Sequence, residues 1–442
     1  MHTETLIHAK WIIPVEPHEV VLENHSLAIA DNKIKAILPT AQAREEIDAE
    51  HIVELPNHAL IPGLVNTHTH AAMSLFRGLA DDLPLMTWLN DHIWPAEHKW
   101  VHEEFVADGT RLAIAEMLKS GTTCFNDMYF FPDITARVAQ QIGMRISVGL
   151  IVIDFPSAWA DNADHYIHKA DELHDALRNE PLISTCFAPH APYTVSDQPL
   201  KQLVTLANEL DIPVHMHIHE TQDEIDGSVE QYKKRPLERL KDLGLLSPSL
   251  IGVHMTQWTD DEMSDYARSN AHVVHCPESN LKLASGFCPV KQLQDHGINV
   301  ALGTDGAASN NDLDMLGEMR TAALLAKGVA QDASALPAAH ALRMATLNGA
   351  TALGLQEHIG TLEVGKEADV VAIDLGHINT LPVFNPLSHI VYAAGREQVS
   401  DVWVAGKRQI ANGKHTTLDV QRIQTNCQQW QAKLTGNQAS SD

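Results

Sequence analysis

FVADGTRLAIAEMLKSGTTCFND, residues 105–127, passes from an amphipathic pattern through one glycine into a short apolar run. Residues 105–120 space their apolar side chains as a helix does, and residues 122–127 have the composition of a strand. Gly121 lies between them, where a helix stops in the left-handed conformation that glycine adopts without a Cβ penalty. The same transition recurs where Gly143 precedes MRISVGLIVI and Gly297 precedes INVALGTDG. Two further helical patterns are LKQLVTLANEL, with Ser196 and Asp197 as cap candidates, and DMLGEMRTAALLAK. The strand candidates are LIPGLVN (60–66), TTCFND (122–127), RISVGLIVI (145–153), LISTCFA (182–188), IPVHMHI (212–218), LIGVHM (250–255), HVVHC (272–276) and NVALGT (299–304). Eight strands, each flanked by a helical pattern, predict the α/β class and a parallel (β/α)8, TIM-like barrel.

The two ends of the chain have another texture. TLIHAKWII, SLAIADNKIKAIL and HIVEL near the start, and DVVAIDL and SDVWVAGKRQIANGKH near the finish, are short strand-like pieces, with a turn signal at Asp31 and Asn32. Neither end is long enough for a core of its own. Together they predict a small β-sandwich from residues 1–58 plus 365–430, beside a barrel domain over 59–364. A chain of 442 residues also exceeds what one ordinary core organises. The tail LTGNQASSD (434–442) reads as frayed.

Composition narrows the function classes. Lys plus Arg total 31 against 57 Asp plus Glu, a formal charge of −26 that repels nucleic acid and anionic membrane. The field favours a neutral or cationic small substrate. No apolar run is long enough to span a bilayer, and the N-terminus lacks a signal-peptide pattern. Cys124, Cys186, Cys276, Cys288 and Cys427 are scattered, as reduced cytoplasmic thiols are.

Histidine is abundant, with 27 copies, so His-x-His triplets arise partly by chance. Three occur, at 68/70, 215/217 and 217/219. Their placement is more telling than their number. His68 and His70 follow the first barrel strand, VHMHIHE (214–220) ends the fifth, His254 ends the sixth, Asp305 follows the eighth, and His190 lies just past the fourth. Barrels build their active sites at those C-terminal ends. Singly, each residue has an ordinary explanation: a core histidine, a helix-capping aspartate, an acidic helix start. Jointly, on several strand ends, they predict a metal site of imidazole and carboxylate ligands with a free carboxylate for proton transfer. The fourth strand carries no lysine to bridge two metals, so one divalent ion is expected. Alternation alone does not choose among His215, His217 and His219, although depth in the barrel favours the middle one. Glu220 would face away on an ideal strand, so the backbone must leave β geometry just before it.

IPGLVNTHTH, the His217-to-Glu220 spacing, GTDG and GTLEVGKEADVVAIDL resemble the amidohydrolase superfamily. NTHTHAAMSLFRGLADDLPLMTWL, FAPHAPYTVS and GTDGAASNND are similar, more narrowly, to the 5′-methylthioadenosine/S-adenosylhomocysteine deaminases within it. The resemblance spans essentially the whole chain and implies hydrolytic deamination of an adenine nucleoside in the cytoplasm by a homo-oligomer. It implies one divalent metal, zinc or secondarily iron, on His68, His70, His217 and Asp305. It makes Glu220 the proton shuttle, His254 the group that steadies the attacking water, and Asp305 also the general base. Trp88, Glu97, His190, Glu220 and Asp305 would contact the nucleoside, under a lid drawn from residues 71–120. Guanine, cytosine or triazine chemistry, including chloride release, would keep the same metal set. A noncatalytic scaffold would lose ligands, and none is missing. One departure concerns S-adenosylhomocysteine, whose carboxylate calls for a basic partner. After Arg145 no Arg or Lys appears until Lys169, which tilts the expectation towards methylthioadenosine or adenosine.

Overall fold

The computed structural model describes residues 1–436. Residues 437–442, on which most of the frayed-tail expectation falls, lie outside the described residues.

Among the described residues, sixteen strands form two sheets of eight. The barrel strands are β5 (Leu64–Thr69), β6 (Thr122–Met128), β7 (Arg145–Val152), β8 (Ile183–Pro189), β9 (Val214–Ile218), β10 (Leu250–His254), β11 (His272–His275) and β12 (Asn299–Leu302). Each pairs in parallel with the next, and helices intervene, as the alternation of patterns predicts. Gly121, Gly143 and Gly297 all take positive φ, at 87°, 82° and 76°. Between the strands and their helices packs the largest apolar cluster, with Phe105, Phe125, Leu150, Phe187 and Leu250 buried in it.

The seam between β12 and β5 is closed differently from the other strand pairs. Asn66 donates from Nδ2 to Thr304 Oγ1 at 2.7 Å and accepts the Thr304 N–H on Oδ1 at 3.0 Å. One step further, the Asp305 N–H donates to the His68 carbonyl at 3.0 Å. Gly303 permits this approach, since a Cβ there would lie 2.8 Å from the His68 nitrogen.

The chain ends build the second sheet from β1 (His2–Ile12), β2 (Leu22–Ala30), β3 (Lys33–Pro39), β4 (Asp48–Pro62), β13 (Val370–Asp374), β14 (Val399–Val404), β15 (Lys407–Ala411) and β16 (Lys414–His415). Its order is β16-β15-β14-β13-β4-β1-β2-β3. The sandwich is thus one continuous sheet that curls over itself. Its far edge returns to the segment before β13, where Lys33 bridges Glu367 and Ile34 N–H donates to the Lys366 carbonyl. Ile7, Leu27, Ile34, Leu55, Val370 and Trp403 fill the fold of that curl. Asp31 and Asn32 both have positive φ, the hairpin geometry their sequence signals.

The junction between sheets differs from the sequence expectation. Leu60–Pro62 complete β4, paired with β13, and the first barrel strand starts only at Leu64. Gly63 is the switch, because a Cβ there would overlap Thr123 Oγ1 at 1.9 Å. A continuous apolar run hides such a change of sheet. A terminal helix, Val420–Leu434, was also not expected. It packs Trp430 on Phe105, ring centroids 5.2 Å apart, and Trp430 Nε1 donates to Asp108 at 3.0 Å.

One buried ion pair fastens the two sheets. Arg145, at the start of β7, holds both carboxylate oxygens of Asp369 at 3.1 Å, and Asp369 also accepts the Ala405 N–H. Removing one partner of such a pair strands the other charge in the interior. Arg145→Ala is therefore expected to cost about 3–5 kcal/mol of stability, read by denaturant unfolding. A loss below about 1 kcal/mol would show that water replaces the guanidinium freely.

Candidate active site

His68 and His70 stand two residues apart at the end of β5, His217 near the end of β9, and Asp305 just beyond β12. Their ligand atoms lie within 4.8 Å of one another. His68 Nε2 is 3.1 Å from Asp305 Oδ1 and 3.1 Å from His217 Nε2, and His70 Nε2 is 3.2 Å from the same Oδ1.

The donor set fits a divalent cation. His70 donates from Nδ1 to the Met128 carbonyl at 2.5 Å, and His217 from Nδ1 to the His190 carbonyl at 2.7 Å. With Nδ1 protonated, each ring turns an Nε2 lone pair into the cluster, the tautomer that metal-binding histidines take. His68 Nδ1 shares a 2.8 Å hydrogen bond with His215 Nε2 on its other side. Burial holds His68 down to about 4 and His217 well below its ordinary range, so both are neutral ligands at pH 7. Burial pushes Asp305 up, but the adjoining His68 and His70 rings outweigh that and hold its carboxyl well below the usual range. Two imidazole lone pairs 3.1 Å apart repel unless a cation lies between them.

VHMHIHE divides its work accordingly. His215 is buried behind His68, with its other nitrogen 3.0 Å from Asn126 Nδ2. His219 turns outward, accepting the Leu237 N–H on Nε2 at 3.2 Å. Its backbone has φ +55°, the departure from strand geometry that Glu220 requires. Glu224 holds this bend: its Oε1 accepts the His219 N–H at 3.0 Å and its Oε2 the Glu220 N–H at 2.7 Å. Glu220 consequently lines the cavity, with Oε2 3.8 Å from His254 Nε2. Burial raises its carboxyl, and the neighbouring His254 only partly opposes this. A carboxyl raised in this way holds its proton more readily than a free one.

His254 and Asp305 also sit at positive φ, 72° and 62°. The helix after β11, Pro277–Lys282, steadies both of them. Asn280 accepts the His254 Nδ1 proton on Oδ1 at 2.8 Å, which leaves Nε2 facing the cavity. Ser279 donates to Asp305 Oδ2 at 2.6 Å and Ser309 at 2.8 Å, so Oδ1 is the oxygen turned to the imidazoles.

One cavity of about 580 Å³ gathers Trp88, Glu97, His190, Glu220, His254 and Asp305. Trp88 donates from Nε1 to the Ala80 carbonyl at 3.1 Å, which fixes its ring as a wall. It begins a π-helical turn, Trp88–Ile93, inside the expected lid segment. Glu97 is pushed up to about 7 by burial. His190 is held down to about 3 by burial and bonds Thr194 through Nδ1 at 3.0 Å. Every residue anticipated from the sequence is therefore on this cavity or in the cluster at its base. Glu224, Ser279, Asn280, Ser309 and the unpartnered hydroxyl of Tyr129 were not anticipated. Glu224 alone had a local signal, because Thr221 and Glu224 have capping spacing.

Residues 59–408 match the amidohydrolase family. A 5-methylthioadenosine/S-adenosylhomocysteine deaminase of Saccharophagus degradans is 52% identical over 437 residues, covering 99% of this chain and 98% of that one. The Teredinibacter turnerae protein of the same name is 51% identical over 426 residues, 96% of each chain. The crystal structure of an adenosine deaminase from Xanthomonas campestris with bound zinc superposes with a TM-score of 0.97, at 54% identity over 98% of this chain and 99% of that one. The atrazine chlorohydrolase of Arthrobacter aurescens, at 22% identity and a TM-score of 0.90 over 96% and 99%, shares the fold.

Protein purified without chelator should carry about one equivalent of divalent metal by elemental analysis, since the four donors suit a single tetrahedral-type site. His217→Ala should retain less than about a tenth of it. A wild-type chain that is folded, active and metal-free would contradict the assignment.

Proposed function

The chain belongs to the amidohydrolase family, and from that premise we propose that its cavity deaminates adenine nucleosides by hydrolysis. The products are the inosine-type nucleoside and ammonia, as for a hydrolase of carbon–nitrogen bonds in cyclic amidines. The carrying observation is Glu220, a raised carboxyl turned into the cavity directly beside a cluster of three imidazoles and a carboxylate. The homologous deaminases named above support the adenine ring as substrate.

In this reading His68, His70, His217 and Asp305 hold one divalent ion, with zinc favoured by the Xanthomonas precedent. Bound there, the ion supplies Lewis acidity that brings water within reach of deprotonation near neutral pH. Glu220 gives its proton to ring N1, which makes C6 electrophilic. His254, its Nδ1 proton taken by Asn280, steadies the attacking water through Nε2. Asp305 accepts a proton from that water. The C6–N bond then breaks: the amino group takes the proton held by Asp305 and leaves as ammonia, while the new C6 hydroxyl gives its proton to Glu220 and becomes the carbonyl, which restores both carboxyl groups. Glu97 and His190 receive the ribose, and Trp88 packs on the ligand. Among the described residues no helix is long and apolar enough to cross a membrane. The acidic charge supports a small-molecule partner over nucleic acid, and the homo-oligomer remains part of the proposal.

Two measurements test these roles. Glu220→Gln should keep its metal by elemental analysis and lose deamination by ~10³-fold, the usual scale for a general acid. An active Glu220→Gln variant would remove Glu220 from the proton path. Glu97 titrates at about 7, and its carboxylate form accepts ribose hydroxyl protons. KM should therefore fall several-fold between pH 6 and pH 8, as protons leave Glu97. The Glu97→Gln variant should show a flat KM over that range, and an unchanged slope would assign the titration to another group.

A further inference from the structure

The two substrates joined in the relatives' name share an adenosine and differ at the 5′ position. Methylthioadenosine ends in a neutral methylthio group. S-adenosylhomocysteine ends in an amino acid, whose carboxylate needs a cation or bulk water once it enters a cavity.

The cavity described above offers that carboxylate no lasting cation. Among the described residues no Lys or Arg lines it. Its ionisable groups are Glu97, Glu220, Asp305 and imidazoles, of which His70 and His217 belong to the metal cluster. Of the lysines that flank the lining segments, Lys169 and Lys282 are committed elsewhere, and Lys99 is exposed. Lys169 donates to the Trp159 carbonyl at 2.7 Å and lies over the Trp159 ring, Lys282 pairs with Asp81 at 2.5 Å, and Lys99 stands over Trp100. The walls away from the ligands are instead Leu85, Leu89, Trp94, Phe130, Ile153 and Phe155. Phe155 is 44% exposed and so marks the rim, where it meets Trp94 edge to face with ring centroids 6.5 Å apart. Phe155 comes from the loop after β7, and Trp94 from the lid segment. An apolar tail is desolvated at no polar cost against these walls. A carboxylate there would lose its water against apolar walls, in a cavity whose acidic groups are Glu97, Glu220 and Asp305 and in a chain of net charge −26.

We propose that this cavity selects adenine nucleosides whose 5′ substituent is neutral and apolar, short alkylthio groups above all, and rejects the amino-acid tail of S-adenosylhomocysteine. The inference rests on the deaminase reading and sharpens its substrate.

The test is ultraviolet-monitored deamination by the metal-replete enzyme at pH 8. The substrates are methylthioadenosine, 5′-butylthioadenosine and S-adenosylhomocysteine. Butylthioadenosine carries a long but uncharged tail, which separates charge from length. The kcat/KM for the two alkylthio compounds should agree within about tenfold, and S-adenosylhomocysteine should fall at least about a hundredfold below them. Phe155→Arg should raise the ratio of S-adenosylhomocysteine to methylthioadenosine turnover by about tenfold, and less so in high salt. Comparable turnover of S-adenosylhomocysteine by the wild type would overturn the inference and leave the deaminase reading intact. Butylthioadenosine as poor as S-adenosylhomocysteine, or an unmoved ratio in Phe155→Arg, would overturn the role given to charge. Turnover of none of the three would sink the deaminase reading itself.

Discussion

Closure of the barrel at one seam governs the site. The amide of Asn66 spans β5 and the end of β12, and the Asp305 N–H completes the join on the His68 carbonyl. The first and last ligands of the chain, 237 residues apart, meet because this seam is shut. A residue with a side chain at position 303 would hold the strands apart at the height of His68. Fold and chemistry thus share one set of contacts, and the parallel register of the other strands carries His217 to the same level. The Arg145–Asp369 pair ties the curled outer sheet to the base of the barrel, away from the mouth.

A second constraint acts where strands end. A β-strand points alternate side chains to opposite faces, so consecutive residues cannot both enter the mouth. Left-handed backbone at His219, His254 and Asp305 breaks the alternation at three strand ends. Such conformations are costly for residues with a Cβ and persist only where the surroundings hold them. Here they are held by named groups: Glu224 on the two N–H groups at the bend, Asn280 on His254, Ser279 and Ser309 on Asp305. The polar groups around the ligands are therefore mostly scaffolding for the direction of a few side chains.

Burial then sorts the titratable groups into roles. It pushes imidazoles towards the neutral, ligating form, as at His68 and His217, and carboxyls towards the protonated form, as at Glu220 and Glu97. Asp305 escapes through the His68 and His70 rings beside it, which hold its carboxyl well below the usual range. One enclosed space thus brings together imidazoles held neutral, a carboxylate held low and carboxyls pushed up. The acidic exterior and the apolar lining bias what enters it in the same direction.

Much of this was legible in the residues. The glycine-punctuated alternation of helix and strand forecast the barrel, because backbone periodicity and the positive φ of Gly121, Gly143 and Gly297 are local properties. The clustering of histidines and Asp305 at strand ends forecast the metal donors, since strand direction decides which end is the mouth. The need for a bend before Glu220 followed from alternation alone. Local reasoning could not choose among His215, His217 and His219, nor find Gly63 as the switch between sheets. It had no signal for Asn280, Ser279 or Ser309, whose partners are fixed only when segments distant in the chain meet. Sequence by itself determined which residue types stand at which strand ends, because period and turn chemistry act over a few residues. Which nitrogen faces the metal, which carboxyl is raised and what lines the route to them were decided by tertiary structure, because hydrogen-bond partners and desolvation exist only once distant strands have closed around them.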